Sequence, residues 1–170
     1  VLDAANLKRE FPFEGVSFFK KNNRSYVYAA SDRFDEATDI RRSISDGKFK
    51  LIYNGDTSSP VYKSVRYRKQ MQTMQVLDSL EKNNELKNFF SDWFSKRKNR
   101  FELYEVSKDY YELNNLVSNT KYSQIFESLK HQLFKWINES DYGNMSESVM
   151  LDSMFSNTIY TSKLNMNKLI

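Results

Sequence analysis

The spacing of apolar positions changes several times along this chain, and each change marks an element. Ser25-Tyr26-Val27-Tyr28-Ala29-Ala30 has the aromatic and β-branched content of a strand. Residues 40–45 and 48–53 read as a β-hairpin around Asp46-Gly47, a dipeptide that accepts the positive φ of a tight primed turn. At the two-residue period of a strand, Ile40, Arg42 and Ile44 share one face, and Phe49 and Leu51 share a face of the returning strand. Residues 54–64 form a polar loop. Over 65–83 the period lengthens, with Met71, Met74, Leu77 and Leu80, joined by Tyr67, at helical spacing; Leu86, Phe89, Phe90, Trp93 and Phe94 make a second, aromatic helical stripe. Residues 101–106 return to a strand, and Asn114-Asn115-Leu116 announces the final helix. That helix, over 122–139, is the clearest, with Ile125, Leu129, Leu133 and Trp136 on one stripe and charges opposite. At the ends, 1–7 reads as the close of a helix, 11–18 as an extended linker, 146–155 as a short helix and 156–170 as an Asn- and Lys-rich arm.

Strands interleaved with helices and joined by a hairpin predict an α+β fold: a small antiparallel sheet of about four strands packed against the C-terminal amphipathic helix, with additional helices inserted after the hairpin. Each side chain of the 122–139 stripe is expected to contribute about 1.5–3 kcal/mol on burial. The chain of 170 residues is long enough for one domain with a real core, 20–155, flanked by 1–19 and 156–170.

Composition removes several chemistries. Lys and Arg number 26 against 22 Asp and Glu, an excess too small for a dedicated nucleic-acid binder. With no cysteine, disulfides, thiolate metal sites and a cysteine nucleophile are excluded. No apolar run has the length of a membrane span. Val1-Leu2-Asp3-Ala4-Ala5 has helical character without an N-cap, as expected of a helix that starts further upstream.

Among candidate sites, Ser31-Asp32-Arg33-Phe34-Asp35-Glu36 follows a strand end, where a loop projects charged groups into a cleft. Arg33 has the fork to bind a sulfate or carboxylate, and Asp32, Asp35 and Glu36 the oxygens to accept sugar hydroxyls; the competing reading is a solvated turn with local ion pairs. The single histidine, His131, belongs to the surface of its helix. Lys96-Arg97-Lys98-Asn99-Arg100 reads as a solvated loop, with contact to a polyanion as the alternative. Asp109 and Glu112 read as turn-forming acceptors rather than metal ligands, and the methionine and aromatic stripes as core or interdomain surface.

Glu102-Leu103-Tyr104-Glu105-Val106-Ser107-Lys108-Asp109-Tyr110-Tyr111-Glu112-Leu113-Asn114-Asn115-Leu116 resembles the E-L-Y-D-L-x-x-D-P-x-E-x-x-N-L signature in the C-terminal subdomain of the type I sulfatases. Further segments resemble that family in its order: Val1-Leu2-Asp3-Ala4-Ala5-Asn6-Leu7 the helix closing the catalytic domain, Gly15-Val16-Ser17-Phe18 the G-x-S-F element, Arg42 to Asn54 the R-x-V-R-x-G-x-Y-K-L-I-x-N hairpin, and Leu129 to Trp136 the L-x-x-x-L-x-x-W helix. Asp32-Arg33-Phe34-Asp35-Glu36 and Tyr67-Arg68-Lys69-Gln70-Met71 are similar to the branch of bacterial heparan N-sulfatase (sulfamidase). Tyr110 departs from the family's proline, leaving that turn less preset. Asn6 replaces a glycine, and asparagine accepts the same left-handed backbone.

The resemblance implies the C-terminal, substrate-pocket-forming part of an enzyme that hydrolyses sulfate esters or sulfamates of sugars or glycosaminoglycans, periplasmic or secreted. Asp32, Arg33, Asp35 and Glu36 would face the pocket. The formylglycine nucleophile and the calcium ion are implied in a separate N-terminal catalytic domain, because the C/S-x-P-x-R motif and the metal-binding Asp/Asn cluster are both missing here. No catalytic or metal-binding residue is assigned to this chain, and its expected partners are that domain and a sulfated sugar, with no nucleic acid and no membrane. Cut from such a domain, it is expected to expose apolar surface around 1–19 and the methionine helix and to self-associate. A phosphonate or phosphodiester hydrolase sharing this subdomain, or a standalone carbohydrate- or polyanion-binding module using the basic run, are the rival readings.

Overall fold

The computed structural model describes residues 1–8, 15–17, 19, 24–86, 89–94 and 97–140. The expected helix over 146–155 and arm over 156–170, with most of the linker over 11–18, lie outside them. The strands are β1 (Val27–Phe34), β2 (Ala37–Ser45), β3 (Lys50–Asn54) and β4 (Phe101–Tyr104), all antiparallel in the order β1-β2-β3-β4. Between β3 and β4 come the helices α1 (Arg66–Lys69), α2 (Gln72–Lys82) and α3 (Phe89–Phe94); α4 (Ser123–Glu139) closes the fold. The α+β architecture, its four-stranded sheet and its covering helix are as the sequence predicts.

One face of the sheet meets α4. Ile44, Leu51, Tyr53 and Leu103 point towards it, Phe49 joins them from the β2–β3 loop, and Leu129, Leu133 and Ile137 fill the space from the helix. The fully buried row is therefore spaced four and four, and Trp136 sits at its flank. There it stacks at 4.9 Å on Tyr28 of the edge strand. Tyr53–Phe134 and Phe101–Phe126 contacts, at 5.3 and 5.4 Å, seal the other side.

The β2–β3 connection is wider than a two-residue turn. Ser45 pairs with Lys50, so residues 46–49 lie between the strands. Asp46 holds them: its Oδ1 accepts from the N–H groups of Lys48 (2.8 Å) and Phe49 (2.6 Å), while Gly47 takes φ +89°. This wider loop lets Phe49 turn into the core. At the chain start the asparagine expectation holds. Asn6 has φ +52°, Leu7 N–H donates to Leu2 O (3.0 Å) and Asn6 N–H to Asp3 O (3.3 Å), the paired bonds of a helix end, although residues 2–6 make only a turn and not the expected helix.

Three boundaries differ from the sequence pattern. β1 runs on through Ser31–Arg33 as an edge strand, where polar side chains are compatible with pairing. The helix expected over 65–83 breaks at Gln70-Met71, with Met71 extended (φ −81°, ψ 124°), and neither α1 nor α2 buries a residue fully. β4 stops at Tyr104, whose partner Lys50 is the first residue of β3, and Asn115 and Leu116 bond to the free edge of β4. Leu103 N–H donates to Asn115 Oδ1 (3.0 Å) and Leu116 N–H to Leu103 O (2.8 Å). The Asn114-Asn115-Leu116 run thus covers a strand; α4 is announced by Asn119, whose Oδ1 accepts from Lys121 N–H (3.1 Å). Leu7, Phe19, Met71 and Val76 are among the exposed apolar side chains.

Candidate functional site

The four residues singled out in the sequence meet at the tip of the β1–β2 hairpin. Phe34 pairs with Ala37, so Asp35 and Glu36 are the turn itself, with Asp35 at φ +54°. Asp32 and Arg33 belong to the end of β1, beside a bulge between Ser31 and Arg33. The segment is a strand end and turn rather than a loop beyond a strand.

Two of the four carry internal duties. Asp32 Oδ1 accepts from Arg42 Nη2 at 2.8 Å, neutralising a guanidinium that is only 3% exposed and that also donates to the carbonyls of Ser31 and Arg41. Glu36 Oε1 accepts from Arg66 N–H (2.8 Å), and this backbone bond holds its carboxyl below the usual range. Arg33 Nε donates to Asp35 O (3.2 Å), tying the guanidinium to its own turn.

The hairpin tip does not stand alone. Phe34 packs against Tyr67 (6.0 Å), and Arg68 lies over Phe34 at 4.2 Å and near Tyr62 and Trp93 at 5.4 and 5.5 Å. The two segments Asp32–Glu36 and Tyr67–Met71, far apart in sequence, therefore form one wall. This contact explains α1: Arg68 is pinned among rings and donates to Lys63 O (3.3 Å), which fixes one turn of helix against the hairpin.

Other candidates resolve differently. His131 is exposed on α4. Asp109 accepts from the N–H groups of Leu113 (3.1 Å) and Asn114 (2.8 Å), so its side chain sets the turn that a proline would preset. Glu112 has φ +55° and pairs with Lys50 at 2.8 and 3.0 Å, an ion pair rather than a turn acceptor. The basic run is only partly solvated: Arg97 and Asn99 are exposed, but two of its cations turn inward. Lys98 is buried against Asp39, and Arg100 Nη1 donates to Asn54 O (2.9 Å) and Gly55 O (2.7 Å); Lys96 lies outside the described residues. Sequence reasoning missed Asp39, Lys63, Arg41 and Lys50. Strict alternation along β2 was the available signal, since it sets Asp39, Arg41 and Ser43 on the face opposite Ile44.

Beside the buried lysines, Asp56 is held at a pKa of about 2. Ser58, through both Oγ (2.6 Å) and N–H (2.8 Å), and then Ser59 Oγ (2.7 Å) donate to its carboxylate. A folded value below the ordinary 3.8 stabilises the protein above that value, and the stabilisation disappears as pH falls towards 2. Because the group is near solvent, about 1 kcal/mol is expected to be lost over that window. Urea titrations at pH 5 and pH 2.5 check this: Asp56→Asn should flatten that part of the acid dependence, and an unchanged slope would remove Asp56 from it.

No protein-family model matches this sequence. Over 139 residues, 81% of the chain, it is 33% identical to the ulvan-active sulfatase of Formosa agariphila, of which those residues are 23%. The chain thus spans about a quarter of the length of the curated relative it matches and is homologous to part of a sulfatase. Among solved structures, a candidate sulfatase from Bacteroides thetaiotaomicron and a 2-O GAG sulfatase each overlay on 81% of this chain and 22% of their own, at 18% and 16% identity and a TM-score of 0.49.

Proposed function

We propose, from its homology to part of a sulfatase, that this chain is the C-terminal, pocket-forming portion of an enzyme hydrolysing sulfate esters or sulfamates of sugars, glycosaminoglycan fragments included. One observation carries the reading: 33% identity sustained over 139 residues, most of the described fold. The hairpin tip is the wall offered to substrate. Arg33 is its anion-binding side chain, Asp35 its exposed carboxylate, and Asp32 and Glu36 hold the tip in shape through Arg42 and Arg66 while presenting their remaining oxygens. The finer likeness to the heparan N-sulfatase branch rests on the two segments that pack together here, Asp32–Glu36 and Tyr67–Met71.

The formylglycine and calcium of such enzymes do not fit these residues. The sequence has no cysteine, and its Ser58-Ser59-Pro60-Val61-Tyr62 lacks the arginine of the C/S-x-P-x-R motif. Among the described residues no three His, Asp or Glu side chains gather to hold a metal ion. Both groups are assigned to a catalytic domain in the parent enzyme.

The rival polyanion-binding module depended on the basic run, and the inward turn of Lys98 and Arg100 disfavours it. The test is kinetic. In the enzyme that contains this chain, Arg33→Ala is expected to lower kcat/KM for a sulfated sugar by about 10–100-fold, the value of one charge-assisted hydrogen bond, and to leave a small aryl sulfate nearly untouched. The 170-residue chain alone is expected to turn over neither. Wild-type kinetics on the sugar in Arg33→Ala, or metal-dependent hydrolysis by the chain alone, would overturn the reading.

A further inference from the structure

The face of the sheet turned away from α4 is shaped by residue size. In the strand register Ala29, Ser43 and Ile52 stand in one row, between a row with Ser31 and Arg41 and a row with Ser45 and Lys50. Ala29 and Ser43 are small, and longer side chains rise on either side of them. A hollow of about 270 Å³ results, with Ile52 on its floor and Arg41 and the Lys50–Glu112 pair on its walls.

The cations at its edge are pre-oriented. Arg41 Nε donates to Asn54 Oδ1 at 3.1 Å, and Asn54 is completely buried, donating in turn to Glu102 Oε1 (2.6 Å) and Asn99 O (2.7 Å). This fixes the plane of the guanidinium, whose terminal nitrogens donate to no protein group among the described residues. Lys50 spends two contacts on the Glu112 carboxylate, and its ammonium carries three N–H donors. Ser43 adds a hydroxyl with no protein partner among the described residues. Among the described residues no aromatic plane lines the hollow to stack a nucleotide base.

A small apolar floor, hydroxyls beside it and a hydrogen-bonded guanidinium at its wall together suit one kind of ligand. The C–H face of a sugar covers Ala29 and Ile52, its hydroxyls meet Ser43 and Glu112, and an exocyclic anion lies in the fork of Arg41. We propose that this hollow binds one acidic sugar residue of a polysaccharide, as a subsite separate from the hairpin tip. The proposal extends the sulfated-sugar reading above, but it is tested by binding rather than turnover, so the two fail separately.

The experiment is an NMR titration of the chain with glucose 6-sulfate, glucuronate, glucose and inorganic sulfate. Saturable shifts are expected at the amides of Arg41, Ser43 and Ile52 with at least one acidic sugar, and the stronger of the two identifies the anion. Glucose and inorganic sulfate should each bind about tenfold or more weakly than that sugar. Arg41→Ala should weaken binding by a similar factor. Ala29→Leu, which fills the hollow without touching either charge, should weaken it as much. Equal binding of inorganic sulfate, equal binding of glucose, or an unaffected Ala29→Leu variant would each overturn the proposal. Arg33→Ala is expected to leave this binding intact whatever it does to turnover.

Discussion

Replacing Asp39 with alanine is expected to destabilise the protein by about 3–5 kcal/mol, because it strands two buried ammonium groups. Asp39 is 6% exposed on β2, and its Oδ1 receives Lys98 Nζ and lies 3.4 Å from Lys63 Nζ. Lys98 has no exposed side-chain surface, and Lys63, which also donates to Ser59 Oγ at 2.6 Å, is almost as deep. Burial lowers the pKa of Lys63, and Asp39 is the largest influence that opposes the shift. A lysine whose folded pKa is depressed is harder to keep protonated in the native state, so stability rises as pH climbs through that value towards the ordinary 10.5. Without Asp39 the depression deepens. The gap between wild type and Asp39→Ala is therefore expected to be widest at neutral pH and narrower near pH 9. Guanidinium titrations at the two values measure it, and Asp39→Ala combined with Lys98→Met should recover much of the loss. A single variant within about 1 kcal/mol of wild type at pH 7 would mean that both ammonium groups reach water instead.

That cluster also shows where sequence reasoning runs out. Lys98 read as solvated because its neighbours in sequence are basic and polar, and its partner Asp39 is 59 residues away. Arg100 meets Asn54 and Gly55 across a similar span. The pairing of β4 with β3 and of β3 with β2 brings these groups together, and nothing local encodes it. The opposite holds for α4 and the β2–β3 hairpin, whose positions follow from spacing within one element. Asn6 was legible for the same reason, since a left-handed helix end is a local demand. The hairpin tip lies between these cases. Adjacency alone places Asp32, Arg33, Asp35 and Glu36 together, but the engagement of Asp32 by Arg42 and of Glu36 by Arg66 needed strand pairing and the docking of α1. Ser31-Asp32-Arg33 looked like a loop because an edge strand tolerates polar side chains on both faces.

Leu133→Ala is expected to cost about 2–5 kcal/mol, towards the upper end of that range. Leu133 is fully buried at the middle of the row Leu129, Leu133, Ile137, against Ile44, Leu51 and Leu103. The loss has two parts, the transfer of the deleted methyl groups and the cavity left behind, and the second depends on whether the walls can close. Here the floor is β2 and β3, hydrogen-bonded to neighbours on both sides. The flanks are ring contacts, Tyr28 on Trp136 and Tyr53 on Phe134, that would have to break for α4 to move inwards. Neither yields cheaply, so most of the cavity should persist. Leu133→Met, which keeps the volume, should cost less than about 1.5 kcal/mol, and Ile125→Ala, in the half-buried first turn of α4, should cost less than Leu133→Ala. Urea unfolding of the three variants with a common m-value separates these outcomes. The hairpin tip is carried by β1 and β2, and the inner face of β2 is covered by this helix, so a Leu133→Ala loss below about 1 kcal/mol would show that something other than α4 holds that hairpin in place.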